Sequence, residues 1–256
     1  MESSQTVIQS DDYQTPKGAN RRRMLGQFLA AAGCGSLGWF RYRTANADNS
    51  SVTIPPVPAR KESAPIETPQ DALQRLYEGN LRFSQGKSIE EHRDLGRVKE
   101  VAAGQKPFAA FLGCADSRVP VEIVFDQGFG DIFVTRIAGN VASSENIGSL
   151  EFGTQVLGAR VLYVLGHTQC GAVQATMKGE EVPGQISGLF QHIRPAVKAS
   201  NGDLNLAVEQ NVRNQAILLA ESSPVISKLV KRGELMVAGG VYDLRTGLVT
   251  PVKIEL

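Results

Sequence analysis

The chain has 256 residues, 42% of them hydrophobic and 21% charged, with a formal net charge of +1. That is ordinary globular composition. Basic residues are spread through the body rather than massed, which argues against a nucleic-acid binder, and no run reaches the twenty or so apolar residues of a membrane-spanning helix.

Residues 1–20 are polar and aperiodic, and "RRRMLGQFLAAAGCGSLGWF" follows them. An arginine cluster ahead of a moderately apolar run reads as a targeting segment rather than as part of a fold. Arg21-Arg22-x-Met24-Leu25 resembles the twin-arginine export signal, and Ala45-Asn46-Ala47 fits a small-residue cleavage site. Residues 1–47 are therefore expected to engage export machinery. They would deliver the protein to the periplasm or another extracytoplasmic compartment, a thylakoid lumen included. An uncleaved membrane anchor is the competing reading, and Cys34 in "AAGC" is a weaker candidate for lipidation. "GCGSLG" satisfies G-x-G-x-x-G, but it lacks the strand, the helix and the distant acidic residue that a dinucleotide site requires.

Residues 48–68 are rich in Pro and Ser and read as a disordered linker. Structure is expected to begin at Thr68-Pro69-Gln70-Asp71, a helix cap followed by a first-turn proline, and the helix should stop at Gly86. A second helical stretch covers about 93–103. Strands are predicted at 108–113, 131–137, 160–166 and 234–243, and helices at about 146–158, 170–178, 185–199 and 205–221. A closing hairpin turns near Thr246-Gly247. Near-continuous apolar strands alternating with helices predict an α/β fold, a mostly parallel central sheet covered on both faces, and one domain over 69–256.

Two stretches carry chemistry. "FLGCADSRVP" sets Cys114, Asp116 and Arg118 at alternate positions beyond the first strand. "VLGHTQCGAV" sets His167 and Cys170 three apart beyond the third. Sites collect at the carboxyl ends of parallel strands, so the two stretches can converge. Two thiolates and an imidazole suit a tetrahedral zinc ion, whose fourth position would belong to water in a catalytic site or to Asp116 in a closed one. Buried core thiols or a Cys114–Cys170 disulfide are simpler readings. Neither accounts for Asp116, Arg118 and His167 beside the cysteines. His92 and His192 are expected to be a surface and a packing residue, without ligand-type partners.

"CADSRVP" and "GHTQCGAV" resemble the paired signatures of the beta-class carbonic anhydrases, and "LYEGNLRFSQGK", "GQKPFAAFLGC" and "GGVYDLRTGLV" resemble that family's flanking segments. The resemblance implies zinc held by Cys114, His167 and Cys170, and reversible hydration of CO2 to bicarbonate and a proton by zinc-bound hydroxide. It makes Asp116 the carboxylate that directs the hydroxide and Arg118 the residue that restrains Asp116. Gln105 stands where plant-type relatives carry a glutamine that contacts bicarbonate. Phe133 and Phe152 would line the apolar side of the pocket, and Gly139 and Gly171 would keep its turns clear. Phe111 stands where relatives with an inhibitory bicarbonate pocket carry Trp. A homodimer, with N-terminal helices wrapping the partner, is implied as well. Carbon disulfide and carbonyl sulfide hydrolases share these ligands and form an alternative, as does a catalytically silent zinc-binding or redox-sensing protein.

Overall fold

Strands β1 (Ala109–Gly113) and β3 (Val161–His167) are buried at every residue, as an unbroken apolar run requires when helices cover both faces of a sheet. In the computed structural model, residues 66–179 and 181–256 are described. The expected export segment and nearly all of the expected linker lie outside those residues.

Strands β2 (Ile132–Arg136), β4 (Met236–Tyr242) and β5 (Val249–Pro251) complete a five-stranded sheet of order β2-β1-β3-β4-β5. The first three pairings are parallel, and β5 returns antiparallel on β4. The hairpin turn lies where expected, with Gly247 at φ +76° and its N–H donating to the Asp243 carbonyl. β2 is the edge strand, and only Ile132 in it is fully buried.

Helix α1 (Pro69–Ser84) starts as the sequence predicts: Thr68 Oγ1 accepts the Asp71 N–H at 3.1 Å, and the Thr68 N–H donates back to Asp71 Oδ2 at 2.9 Å. Leu76 of α1 packs with Phe111, Phe125 and Tyr163 on one face of the sheet. α2 (Leu95–Val101) and the single turn α3 (Val121–Val124) follow. The opposite face is covered by α4 (Ser144–Glu151) and by α7 (Leu204–Ser222) with α8 (Pro224–Lys231). α5 (Gly171–Lys178) and α6 (Ile186–Ala199) stand beyond the carboxyl ends of the strands.

Two helices differ from expectation. The stretch read as 146–158 ends as α4 at Glu151 and continues as a wider π turn over Phe152–Val156. The helix read as ending at 221 is followed by α8, whose Ser223 cap and first-turn Pro224 restart the chain in a new direction. Among the described residues no helix is long and apolar enough to cross a membrane.

Candidate metal centre

Cys114 leaves the end of β1, His167 is the last residue of β3, and Cys170 caps α5, so adjacent parallel strands deliver all three to one end of the sheet. One potential ligand atom from each lies within 4.8 Å of the other two, and all three residues are buried. This is the only such group among the described residues.

The imidazole shows how the site is meant to be filled. His167 Nδ1 donates to the Thr168 carbonyl at 2.9 Å, which leaves the lone pair on Nε2. That nitrogen is buried and has no hydrogen-bond partner. A buried acceptor without a partner is costly, and here it faces two sulfur ligands. The donor set and the vacant lone pair fit zinc, which binds imidazole nitrogen and thiolate sulfur tetrahedrally.

Both cysteines are free thiols, so the disulfide reading does not describe this site. Cys114 is held well below the ordinary thiol range, first by the Cys170 S–H and then, against burial, by the amides of Asp116 and Gly139. Cys170 is pushed up by the same partner and by burial. The contact between the two sulfurs thus favours the thiolate on Cys114 over Cys170.

Asp116 is not a member of the ligand group. Arg118 donates from Nε to Asp116 Oδ1 at 2.9 Å and from Nη2 to Oδ2 at 2.7 Å, the bidentate fork that suits a carboxylate. This grip holds the Asp116 carboxyl well below the usual carboxylate range. Asp116 Oδ2 lies 3.8 Å from His167 Nε2, beside the ligand atoms. Arg118 Nη2 also reaches the Gln169 carbonyl at 3.4 Å, tying the Cys114 segment to the His167–Cys170 turn.

Arg136, the last residue of β2, has a role that the sequence pattern does not announce. Its Nε donates to the Cys114 carbonyl at 2.8 Å and its Nη2 to the Asp116 carbonyl at 2.5 Å, so it braces the turn between ligand and carboxylate. Gly139 has φ +74°, and its N–H points at Cys114 Sγ at 3.4 Å. A Cβ there would meet Ile193 Cδ1 at 2.6 Å, so the turn does require glycine. At Gly171 a Cβ would meet nothing within 4 Å, so the surrounding protein imposes no such requirement.

Other expected site residues lie elsewhere in the chain's own fold. Gln105 is exposed ahead of β1, at the opposite end of that strand from Cys114. Phe133 pairs in register with Ala110, and its ring stands 6.4 Å from that of Phe152, which is 48% exposed. Both rings lie at the free edge of the sheet. His92 was expected to have no ligand-type partner, but its Nδ1 lies 2.7 Å from Asp131 Oδ1. Asp131 also accepts the Gly128 N–H and faces Arg97, so the pairing fastens a loop and belongs to no metal cluster. The backbone carbonyl of His192 accepts from Gln215 Nε2.

A family model described as carbonic anhydrase matches residues 109–249. The chain is 38% identical over 192 residues to carbonic anhydrase 2 of Mycobacterium tuberculosis, covering 72% of this chain and 92% of that protein. It is 34% identical to the carbonic anhydrase of Mycolicibacterium smegmatis, covering 72% and 94%. Among solved structures, the Coccomyxa beta-carbonic anhydrase in complex with acetazolamide superposes with a TM-score of 0.56 at 28% identity, over 70% of this chain and 86% of that one.

Proposed function

The chain belongs to the beta-class carbonic anhydrases, and on that premise we propose that it hydrates CO2 reversibly to bicarbonate and a proton with zinc held by Cys114, His167 and Cys170. The observation that carries the zinc reading is the buried, unpartnered Nε2 of His167 beside the two sulfurs. Zinc in this site supplies a Lewis acid that makes water acidic enough to act as a nucleophile near neutral pH.

The remaining work falls to the chain's own groups. An ionised carboxylate only accepts hydrogen bonds. Asp116 can therefore take the proton side of a water placed beside His167 Nε2 and turn a lone pair toward CO2. Arg118 binds both oxygens of Asp116, which keeps the carboxylate ionised and restrains it from the ligand positions. This supports an open site over a silent one closed by Asp116.

The full-length chain should show stopped-flow CO2 hydration that is abolished by a zinc chelator and in Cys114→Ser, and sharply reduced in Asp116→Asn. Zinc-replete protein without that rate overturns the substrate assignment, and carbon disulfide is then the substrate to test.

A homodimer is part of the same reading. At the free edge of β2, Phe133 packs against Phe152 of the π turn, whose last residue, Val156, is 63% exposed. A second copy docked there could bring those rings and Gln105 toward a site that its own chain leaves without them. We also assign residues 1–47 to export. Replacing Arg21 and Arg22 with Lys should retain the protein in the cytoplasm, and unchanged export would overturn that assignment.

A further inference from the structure

Helix α7 presents a buried stripe to the sheet formed by Ala207, Val208, Val212, Ala216, Leu219 and Ala220. Two carboxamides, Asn211 and Gln215, interrupt it at helical spacing, with only 1% and 2% of their surface exposed. A buried amide is unfavourable unless its donors and acceptors are satisfied, so two of them on one core-facing stripe call for an explanation.

Their partners lie behind the metal site. Asn211 Nδ2 donates to the Gly139 carbonyl at 2.8 Å. Gln215 Nε2 donates to Asn211 Oδ1 at 3.3 Å and to the His192 carbonyl at 3.3 Å, and Gln215 Oε1 accepts the Ala142 N–H at 2.8 Å. The chain of bonds ends at Gly139, whose own N–H points at Cys114 Sγ at 3.4 Å.

Gly139 is the weak link in that chain. At φ +74° it occupies a region that glycine enters freely, and glycine is also the residue most able to leave it. The Asn140 N–H closes the turn onto the Ile137 carbonyl, while the Gly139 carbonyl is bonded by the Asn211 side chain. Asn211 grips the peptide on the far side of the same Cα, and Gln215 holds both Asn211 and the amide three residues on. Together they remove the freedom that glycine brings.

We propose that Asn211, backed by Gln215, is a positioning residue for the Cys114 sulfur: it locks the 139–142 turn so that the Gly139 amide donates to the thiolate and fixes the direction of that ligand. The inference rests on the reading of Cys114, His167 and Cys170 as a zinc site and extends that site to α7. Groups that orient ligands in this way typically contribute 10- to 100-fold to metal affinity.

The test uses the full-length chain. Zinc content is measured first, then the rate of zinc transfer to a chromogenic chelator, and finally the sulfur-to-cobalt charge-transfer band of the cobalt-substituted protein. Asn211→Leu should release zinc about 10- to 100-fold faster and shift the cobalt band. Gln215→Leu should do both to a smaller degree. Leu219→Ala, which empties a core position two turns along the same helix, should lower thermal stability and leave both readouts unchanged. Wild-type release rates in Asn211→Leu and Gln215→Leu overturn the inference, as does release from Leu219→Ala that is equally fast. If Asn211→Leu does not fold, Gln215→Leu decides. If neither folds, the amides serve only stability and the inference falls. A wild-type chain that takes up no zinc overturns the reading of the site itself, an outcome that the first measurement separates from the others.

Discussion

Arg118 closes on Asp116 with both arms of its guanidinium, Nε to Oδ1 and Nη2 to Oδ2, while its own N–H donates to the same Oδ1 at 2.9 Å. The arrangement makes Arg118 the group that sets both the charge and the place of Asp116. Arg118→Ala should lower CO2 hydration about 10- to 100-fold. The Asp116 carboxyl, read by carbon NMR, should then titrate higher than in the wild type, because the guanidinium is gone while the backbone N–H of residue 118 remains. A folded-state pKa below the unfolded one stabilises the fold above the unfolded value, and that stability is lost as pH falls through the folded value. Acid unfolding of the variant should therefore begin at a higher pH. An unchanged Asp116 midpoint would show that Arg118 does not control it.

Asn80 joins three elements from within α1. Its Nδ2 donates to the carbonyls of Val124 and Gly247, and its Oδ1 accepts the Val249 N–H at 2.8 Å. It thus latches the first helix to α3 and to the closing hairpin. Asn80→Ala leaves those groups unpaired in the interior and should cost about 3 kcal/mol, or roughly 6–12 °C in thermal midpoint for a domain of this size. A calorimetric shift under 2 °C would contradict that role.

The parts of the molecule legible from sequence are those whose physics is local. β1 and β3 announce themselves because their residues are buried and, up to His167, form a near-continuous apolar run. The Thr68–Asp71 cap needs only three residues of spacing. Cys114 and His167 are recognisable because each sits where an apolar strand ends, and Cys170 because it lies three residues beyond His167 at a helix start. α3 escaped notice because a single turn, Val121–Val124, is too short to show a period. α8 escaped although Ser223-Pro224 is a start signal, because the apolar pattern continues across the break. Arg136, Asn211 and Gln215 were not legible for another reason. Their partners are backbone groups distant in the chain, 72 residues away for Asn211 and Gly139, and backbone acceptors leave no mark on composition or spacing.

The dimer reading turns on Phe152. Its ring packs on Phe133 at the free edge of β2 and still leaves 48% of the residue exposed. A large exposed aromatic beside an unpaired strand edge is the kind of surface that a partner covers. On that reading the wild type should be a dimer by light scattering and Phe152→Glu a monomer. Activity should be lost with it, since Gln105 and Phe133 would no longer be supplied from across the interface. A variant that stays dimeric, or a wild type that is monomeric, removes the support for a shared site.

Zinc removal tests the site without reference to turnover. An ion that binds the folded chain alone stabilises it by about 2.7 kcal/mol at a free concentration 100-fold above Kd. Chelation should therefore lower the thermal midpoint and added zinc restore it, while Cys114→Ser should respond to neither. The proton count is more discriminating. Ligand thiols must be deprotonated to bind zinc, and in this site the Cys114 thiol is held down while Cys170 is pushed up by the same contact. If that contact keeps Cys114 ionised near neutral pH, zinc uptake should release about one proton rather than two. Calorimetric titration in buffers of different ionisation enthalpy measures that number directly. Affinity should rise with pH, because the proton being displaced resides on the thiol that holds it more tightly. Release of two protons would mean that Cys170 does not hold Cys114 in its thiolate form, and the order of deprotonation inferred from their contact would be wrong.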